Sequence, residues 1–454
     1  MQVFGSSGTR GVANEELTPA FVLRVAKAAG TAWGVDRVAV ARDTRHTGRM
    51  LADAAASGLA STGMAIDRLG IVPTPGAQAY AEREGVPVMV ITASHNPPQY
   101  NGVKLVGSDG VELAVSDLES IEETLLAESF AVAPWDETGQ VREVDGVTNE
   151  YVADLLAAVD REPIADADLT VALDPGHGAG ALTSPQFFRE LGCRVVTVNG
   201  QPDGHFPGRN PEPVPDNLGD LGRLVRATDA DVGIAHDGDA DRAIFFDEDG
   251  EYVEGDATLA ALAAAELEPG DTTVSAVNVS QRLVDVVNEI GADLELTPIG
   301  STNIITRIEE LETKGNRVPI AGEGNGGIFF PGYRLARDGA FTAARFLRLV
   351  ADRPVSEIVA PYDGYANVRR NVAYESTAER DAMLDAAANH AQAADAELNT
   401  RDGYRLDFGD AWVLARPSGT EPLVRVYAEA RDEERAIDLA ADMHETLMDA
   451  KDDA

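Results

Sequence analysis

Lysine is nearly missing from this 454-residue chain: Lys27, Lys104, Lys314 and Lys451 are all it has. Basic residues number 37 against 77 acidic ones, for a formal net charge of −40. A field of that sign repels nucleic acid and anionic membranes, which excludes both as partners. Cysteine is missing except for Cys193, so no internal disulfide framework can exist. Its setting, "ELGCRVVTV", reads as a small buried residue beside a strand. No apolar run reaches the ~18 residues that a membrane span requires. The opening "MQVFGSSGTRG" has neither the basic region nor the apolar core of a secretory signal. The expectation is a cytoplasmic enzyme or binding protein, monomer or homodimer, working on small molecules.

What is present is an ordinary globular pattern. Hydrophobic residues make up 44% of the chain, and the acid is spread along it instead of massed in a tail. Disorder does not fit such periodicity. Solvation in high salt does, because screening there weakens self-repulsion, and we read a halophilic source from it. Length alone suggests about three domains. Helical and strand-like segments alternate: "LTPAFVLRVAKAAGTAWG" opens with Thr18 as N-cap and Pro19 at the first helical position, and "DRVAVARDTR" reads as a short buried strand. Such alternation predicts parallel sheets covered by helices. Four apolar runs end in polar loops: "VMVIT" before Ala-Ser-His-Asn, "VGIA" before His-Asp-Gly-Asp-Ala-Asp, "VPIA" before Gly-Glu-Gly-Asn-Gly-Gly, and "AWVLA" before Arg-Pro-Ser-Gly-Thr. Ligands of open α/β sheets bind beyond strand carboxyl ends, so these loops predict one cleft with a contribution from each domain. The junctions fall near residues 150, 255 and 367. The last segment, a strand, a long helix, two strands and a final helix, predicts a small α+β domain.

Asp237, Asp239 and Asp241 stand two apart in "AHDGDADRAIFF". Three carboxylates on one face repel each other and call for a hard cation such as Mg²⁺ or Ca²⁺. An EF-hand shares the D-x-D-x-D start, but Arg242 takes the place of the glycine at its sixth position, and strands flank the loop. A solvated acidic turn is the plain alternative. In "ARPSGTEPLVRVYAEA", Arg416, Ser418, Gly419 and Thr420 offer a guanidinium, hydroxyls and backbone N–H groups, a set that grips a phosphate, with Arg425 nearby; a hairpin turn with a structural arginine is the alternative. Glu323 and Asn325 in "AGEGNGGIFF" can hold neighbouring sugar hydroxyls, with glycines allowing close approach. Arg10 follows a Ser/Gly loop and can approach a phosphate. Ser94 stands beside His95 in "ITASHNPPQYNGVK". A hydrolase elbow requires G-x-S-x-G, which is missing here. A serine that carries a phosphate fits better, with Lys104 downstream, because phosphoryl transfer needs mainly positioning and charge neutralisation. His46, His177, His205, His390 and His444 show no metal-ligand spacing and read as structural or solvated.

Taken in order, Gly5–Arg10, Thr92–Pro97, Asp237–Arg242, Gly322–Gly327 and Arg416–Thr420 resemble the motifs of the α-D-phosphohexomutase superfamily, across essentially the whole chain. The resemblance implies three related α/β domains (1–149, 150–254 and 255–366) and a smaller C-terminal α+β domain (367–454) around a central cleft. It implies that Ser94 is the phosphoserine and that one Mg²⁺ is held by Ser94, Asp237, Asp239 and Asp241. Arg10 and Lys104 would lie near the transferring phosphate. Arg242, Glu323, Asn325, Arg416, Ser418, Gly419, Thr420 and Arg425 would bind a hexose phosphate. The implied reaction moves a phosphoryl group between the C6 and C1 hydroxyls through a hexose 1,6-bisphosphate. The Ser-Gly-Thr-Glu-Pro ending looks most like phosphoglucosamine mutases. Phosphomannomutase/phosphoglucomutase is the close alternative, and phosphopentomutase a further one. Many members carry histidine where this chain has Gly327, so a sugar-phosphate-binding homologue without catalysis is the alternative from another class.

Overall fold

The computed structural model describes residues 4–5, 8–418 and 422–452. The first helix, Pro19–Trp33, begins where local chemistry places it. Thr18 Oγ1 accepts from the N–H of Phe21 at 3.2 Å, and Gly34 ends the helix in the left-handed region at φ 55°. Its buried face carries Val22, Val25, Ala26 and Ala29 and packs on the helix Gly48–Ala60, where Gly58 brings the two backbones close.

Four sheets follow one another along the chain. The first has six strands in the order Thr9–Val12, Tyr100–Val106, Val88–Ile91, Arg37–Arg42, Ala65–Ile71 and Val141–Glu143. The second and third have five strands each, centred on Thr170–Asp174 with Val232–Ala235 and on Thr272–Ala276 with Ala321–Glu323. The expectation of parallel pairing holds at the centre of each of these three sheets and not at one edge. Val88–Ile91 runs parallel to Arg37–Arg42, but Tyr100–Val106 returns antiparallel to it. Ile244–Phe246 likewise returns along Val232–Ala235, and Gly327–Phe330 along Ala321–Glu323. Each of the first three polar loops is thus the bend of a two-stranded return, not a strand-to-helix turn. Such a bend is short, so its side chains stay at the sheet's end. The strand before the third loop also lies later than its apolar run suggests, and Glu323 is its last residue.

The fourth sheet is antiparallel throughout, in the order Ala366–Ala373, Leu423–Ala430, Ala411–Pro417, Tyr404–Asp407 and Glu397–Asn399. It has two strands more than the sequence pattern suggests, because Glu397–Asn399 and Tyr404–Asp407 are short and polar. The helices Thr377–Ala393 and Glu433–Asp452 pack against it. Three buried side chains dock this unit on its neighbour. Arg405 lies over the ring of Trp412 and donates to the carbonyls of Val277 (2.6 Å) and Val279 (3.1 Å). Glu429 accepts from Ser280 Oγ and from the N–H of Gln281, both at 2.7 Å, at the start of the helix Gln281–Ile290. An acceptor there satisfies an N–H that the helix cannot.

Candidate active site

The loop after Val88–Ile91 is held from behind. Asp43 Oδ2 accepts from Thr92 Oγ1 at 2.7 Å and from Arg45 Nε at 3.0 Å. Thr92 Oγ1 in turn accepts from the N–H of Ser94 at 2.9 Å. Arg45, buried, donates through Nη1 to the carbonyls of Pro97 (2.7 Å) and Tyr100 (3.0 Å), and through Nη2 to those of Ser94 (2.8 Å) and Asn96 (2.6 Å). Ser94 sits at φ 50°, a left-handed conformation unusual for a residue with a Cβ. The surrounding bonds hold it there, which is where functional sites keep such residues.

The aspartate loop Asp237–Arg242 closes over this one. A Cβ on Gly238 would come 2.6 Å from the Ser94 carbonyl oxygen, so only glycine lets the two loops touch. Ser94 Oγ donates to Asp237 Oδ2 at 2.6 Å. Lys104 Nζ bridges Asp239 Oδ2 (2.9 Å) and Asp241 Oδ2 (2.8 Å), and Thr74 Oγ1 donates to Asp239 Oδ2 at 2.5 Å. Arg337 Nη2 donates to Asp241 Oδ2 at 2.7 Å, and Arg242 Nε stands 4.0 Å from Asp237 and 3.8 Å from Asp241. His236 closes the loop behind the aspartates. Its Nδ1 faces the Arg242 carbonyl at 2.8 Å and its Nε2 faces Ser184 Oγ at 3.1 Å. A carbonyl only accepts, so the proton is on Nδ1. Burial lowers the His236 pKa to about 4 and keeps the ring neutral.

The three aspartates test whether a cation fits. Asp237, Asp239 and Asp241 each offer an oxygen within 4.8 Å of the others. In each, Oδ1 is buried and lacks a hydrogen-bond partner. Buried polar atoms are rarely left so. Burial, with Asp241 and Asp239 beside it, pushes the Asp237 pKa well above the usual carboxylate range. Asp241 is held low in spite of burial by Arg337 and Lys104. Lys104 is raised in spite of burial by Asp239 and Asp241. An all-oxygen donor set with orphaned lone pairs fits a hard divalent cation.

His95 is not the partner of the serine. Arg242 and burial hold its pKa far below the usual range, and its Nδ1 makes no hydrogen bond. Arg10 reaches the loop by donating from Nη1 to Asn96 Oδ1 at 2.8 Å. Ser94, Arg10, Lys104, Arg242 and the three aspartates therefore converge. Glu323 and Asn325 open from them onto a cleft of about 390 Å³, lined also by Arg242, Asp256, Arg282, Arg369 and Tyr427. Asn325 Nδ2 faces Glu323 Oε2 at 3.4 Å. Arg416, Ser418 and Arg425 lie outside that lining, at the turn end of the fourth sheet. There Arg416 pairs with Asp402 at 3.0 Å and stands opposite Arg425 across the two strands. Gly419 and Thr420 lie outside the described residues. Sequence reasoning missed Asp43, Arg45, Thr74, His236 and Arg337. Asp43 and Arg45 had a signal, since "RVAVAR" also ends in a charged loop; Thr74 and Arg337 meet their partners only through the fold.

Comparison with known proteins bears on this site. The phosphoglucomutase/phosphomannomutase alpha/beta/alpha domains I, II and III match residues 1–132, 149–250 and 254–365, and the C-terminal domain of that family matches 368–446. A phosphoglucomutase/phosphomannomutase of Thermococcus kodakarensis is 41% identical over 96% of each chain. A probable phosphoglucosamine mutase of Methanopyrus kandleri is 40% identical over 96% of this chain and 95% of that one. The crystal structure of a phosphoglucomutase/phosphomannomutase family protein from Burkholderia thailandensis superposes with a TM-score of 0.86 at 28% identity, covering 99% of this chain and 98% of that one.

Proposed function

From a chain that belongs to the phosphoglucomutase/phosphomannomutase family, we propose a mutase whose phosphorylated Ser94 exchanges its phosphoryl group with a hexose phosphate. The chain is an isomerase of the phosphosugar mutase class. The observation that carries the role of Ser94 is its hydroxyl, buried 2.6 Å from Asp237 among three carboxylates with orphaned oxygens. In the first transfer the bond from phosphorus to Ser94 Oγ breaks. A bond to the free sugar hydroxyl oxygen forms, and that hydroxyl gives up its proton while the departing Ser94 Oγ takes one up, directly or by way of a carboxylate or solvent, so that serine is left as its hydroxyl. The bisphosphate turns in the cleft, and its other phosphoryl group returns to Ser94.

Asp237, Asp239, Asp241 and the Ser94 phosphate are the ligands we assign to one Mg²⁺, which when bound offsets charge on the transferring group. Lys104 neutralises Asp239 and Asp241, and Arg10 steadies the serine loop through Asn96. Arg242, Glu323 and Asn325 face the sugar. Arg416, Ser418 and Arg425, with Gly419 and Thr420, form the grip for the phosphate that does not react.

Glucosamine phosphate is the sugar we assign, supported by the phosphoglucosamine mutase relatives. Glucose and mannose phosphates are the second reading, favoured by the Thermococcus relative. The test is kcat/KM with Mg²⁺ on glucosamine, glucose, mannose and ribose phosphates, primed with a hexose 1,6-bisphosphate. The largest value is expected for glucosamine 6-phosphate. A larger value for mannose or glucose phosphate gives the second reading, and no turnover on any of the four contradicts both.

A further inference from the structure

Gly327 ends the sugar-facing loop without a side chain, yet the space beside it is filled. A Cβ built there would lie 2.8 Å from Cδ of Arg337, 3.0 Å from Oδ1 of Asn325 in the same loop and 3.5 Å from Nη1 of Arg337. Arg337 ends the strand Arg334–Arg337, which pairs antiparallel with Gly327–Phe330. Its side chain is 4% exposed. Nη2 donates to Asp241 Oδ2 at 2.7 Å and stands 3.8 Å from Glu112 Oε1. Glu112 Oε2 accepts from Ser301 Oγ at 2.8 Å. One guanidinium on the third sheet thus meets the metal loop of the second and a carboxylate beside the first. Asp241 Oδ2 also accepts from Lys104 at 2.8 Å, so two cations fix that oxygen and leave Oδ1 for another partner.

We propose that Arg337 is a positioning residue for phosphoryl transfer, a permanent cation that fills the volume Gly327 leaves open and ties the sugar-facing loop to Asp241. The inference deepens the mutase reading and rests on it. Arginine suits the role because its planar fork stays charged at any working pH. The orientation of Asp241 then does not vary with proton uptake by a neighbour. Charge balance agrees: three aspartates face Lys104, Arg242 and Arg337. The same geometry favours glycine at 327, since a Cβ there would push on the arginine stem.

The test is a double-mutant cycle of Gly327→His and Arg337→Gly, with Arg337→Lys as the conservative variant. Each single substitution is expected to lower kcat at least ~10-fold, the cost of misplacing a reacting group by under an ångström. Gly327→His also lowers Tm. In the Arg337→Gly background the same histidine changes kcat by less than ~2-fold and shifts Tm far less, because the closest collision is gone and Asn325 alone has to give. Arg337→Lys recovers part of the lost kcat. Mg²⁺ alone, titrated calorimetrically, binds Arg337→Gly at least as tightly as wild type, because a positive charge has left the side of Asp241. Additive losses across the cycle, or an Arg337→Gly kcat within ~2-fold of wild type, overturn the proposal. So does a Mg²⁺ affinity that falls in step with kcat, which marks a merely structural arginine. If Arg337→Gly does not fold, Arg337→Ala, which also lacks Cδ, takes its place in the cycle, and Gly327→His must then cost less than it does in wild type. A wild-type protein that turns over no sugar phosphate sinks the mutase reading instead; Tm and Mg²⁺ binding still decide the coupling of 327 to 337.

Discussion

Arg45 places all five of its N–H donors. Nε meets Asp43, and the two terminal nitrogens meet the carbonyls of Ser94, Asn96, Pro97 and Tyr100. No other residue type offers that fork. Removing one partner of a buried ion pair leaves an uncompensated charge, so Arg45→Met is expected to destabilise the protein by about 3–5 kcal/mol in denaturant titrations. The serine loop relaxes with it. The variant is expected to lose kcat far more than it raises KM, whereas equal effects on the two would place Arg45 in substrate binding. Asp256 gives a prediction in pH. Burial, then Glu429 beside it, raises its pKa to about 7 against Arg282, with Glu254 adding to the rise and Arg369 opposing it. Between the ordinary carboxylate value of about 4 and 7, the folded protein holds a proton that the unfolded chain has lost. Stability therefore falls as pH rises through that window and stays lower above it. Asp256→Asn is expected to raise Tm relative to wild type at pH 8, with the difference closing near pH 4. A difference that does not change with pH contradicts the assignment.

At the scale of elements, the site is a set of bends between strands. Gly238 is where two of them touch. Gly238→Ala pushes a methyl group to 2.6 Å from the Ser94 carbonyl oxygen, and displacing the serine loop is expected to lower kcat/KM ~100-fold while circular dichroism stays native. Much of this scale was legible. Thr18 and Pro19 set the first helix as their chemistry demands, and apolar runs into polar loops found the strand ends that carry Ser94, the aspartates and Glu323. Pairing direction was not legible. A buried run such as "VMVI" looks the same whether its neighbour is parallel or antiparallel. Short polar strands such as Glu397–Asn399 have no apolar signature at all. Arg337 was invisible for a related reason. Its meaning lies in a contact with Asp241, 96 positions away, and in the missing side chain of Gly327 beside it.

Across the whole molecule, charge and architecture set different terms. A net charge of −40 repels itself over distances up to about the Debye length, which is about 10 Å in 0.1 M salt and 3 Å in 1 M. Tm is expected to rise steadily as KCl is raised from ~0.1 M to ~1 M, through the range where that length shrinks. A flat or falling curve would show that paired charges such as Arg68–Asp53 and Arg83–Glu150 already contain the repulsion. The architecture gathers residues from distant stretches into one place. Ser94 comes from the first sheet, the aspartates from the second and Arg337 from the third. Phosphorylation at Ser94 Oγ is the step on which the proposed reaction depends. The most direct measurement is the intact-protein mass after incubation with a hexose 1,6-bisphosphate and Mg²⁺. Wild type is expected to gain one phosphoryl group, mapped to Ser94, and Ser94→Ala to gain none. Equal labelling of the two proteins, or none of wild type while it turns over sugar phosphate, contradicts it.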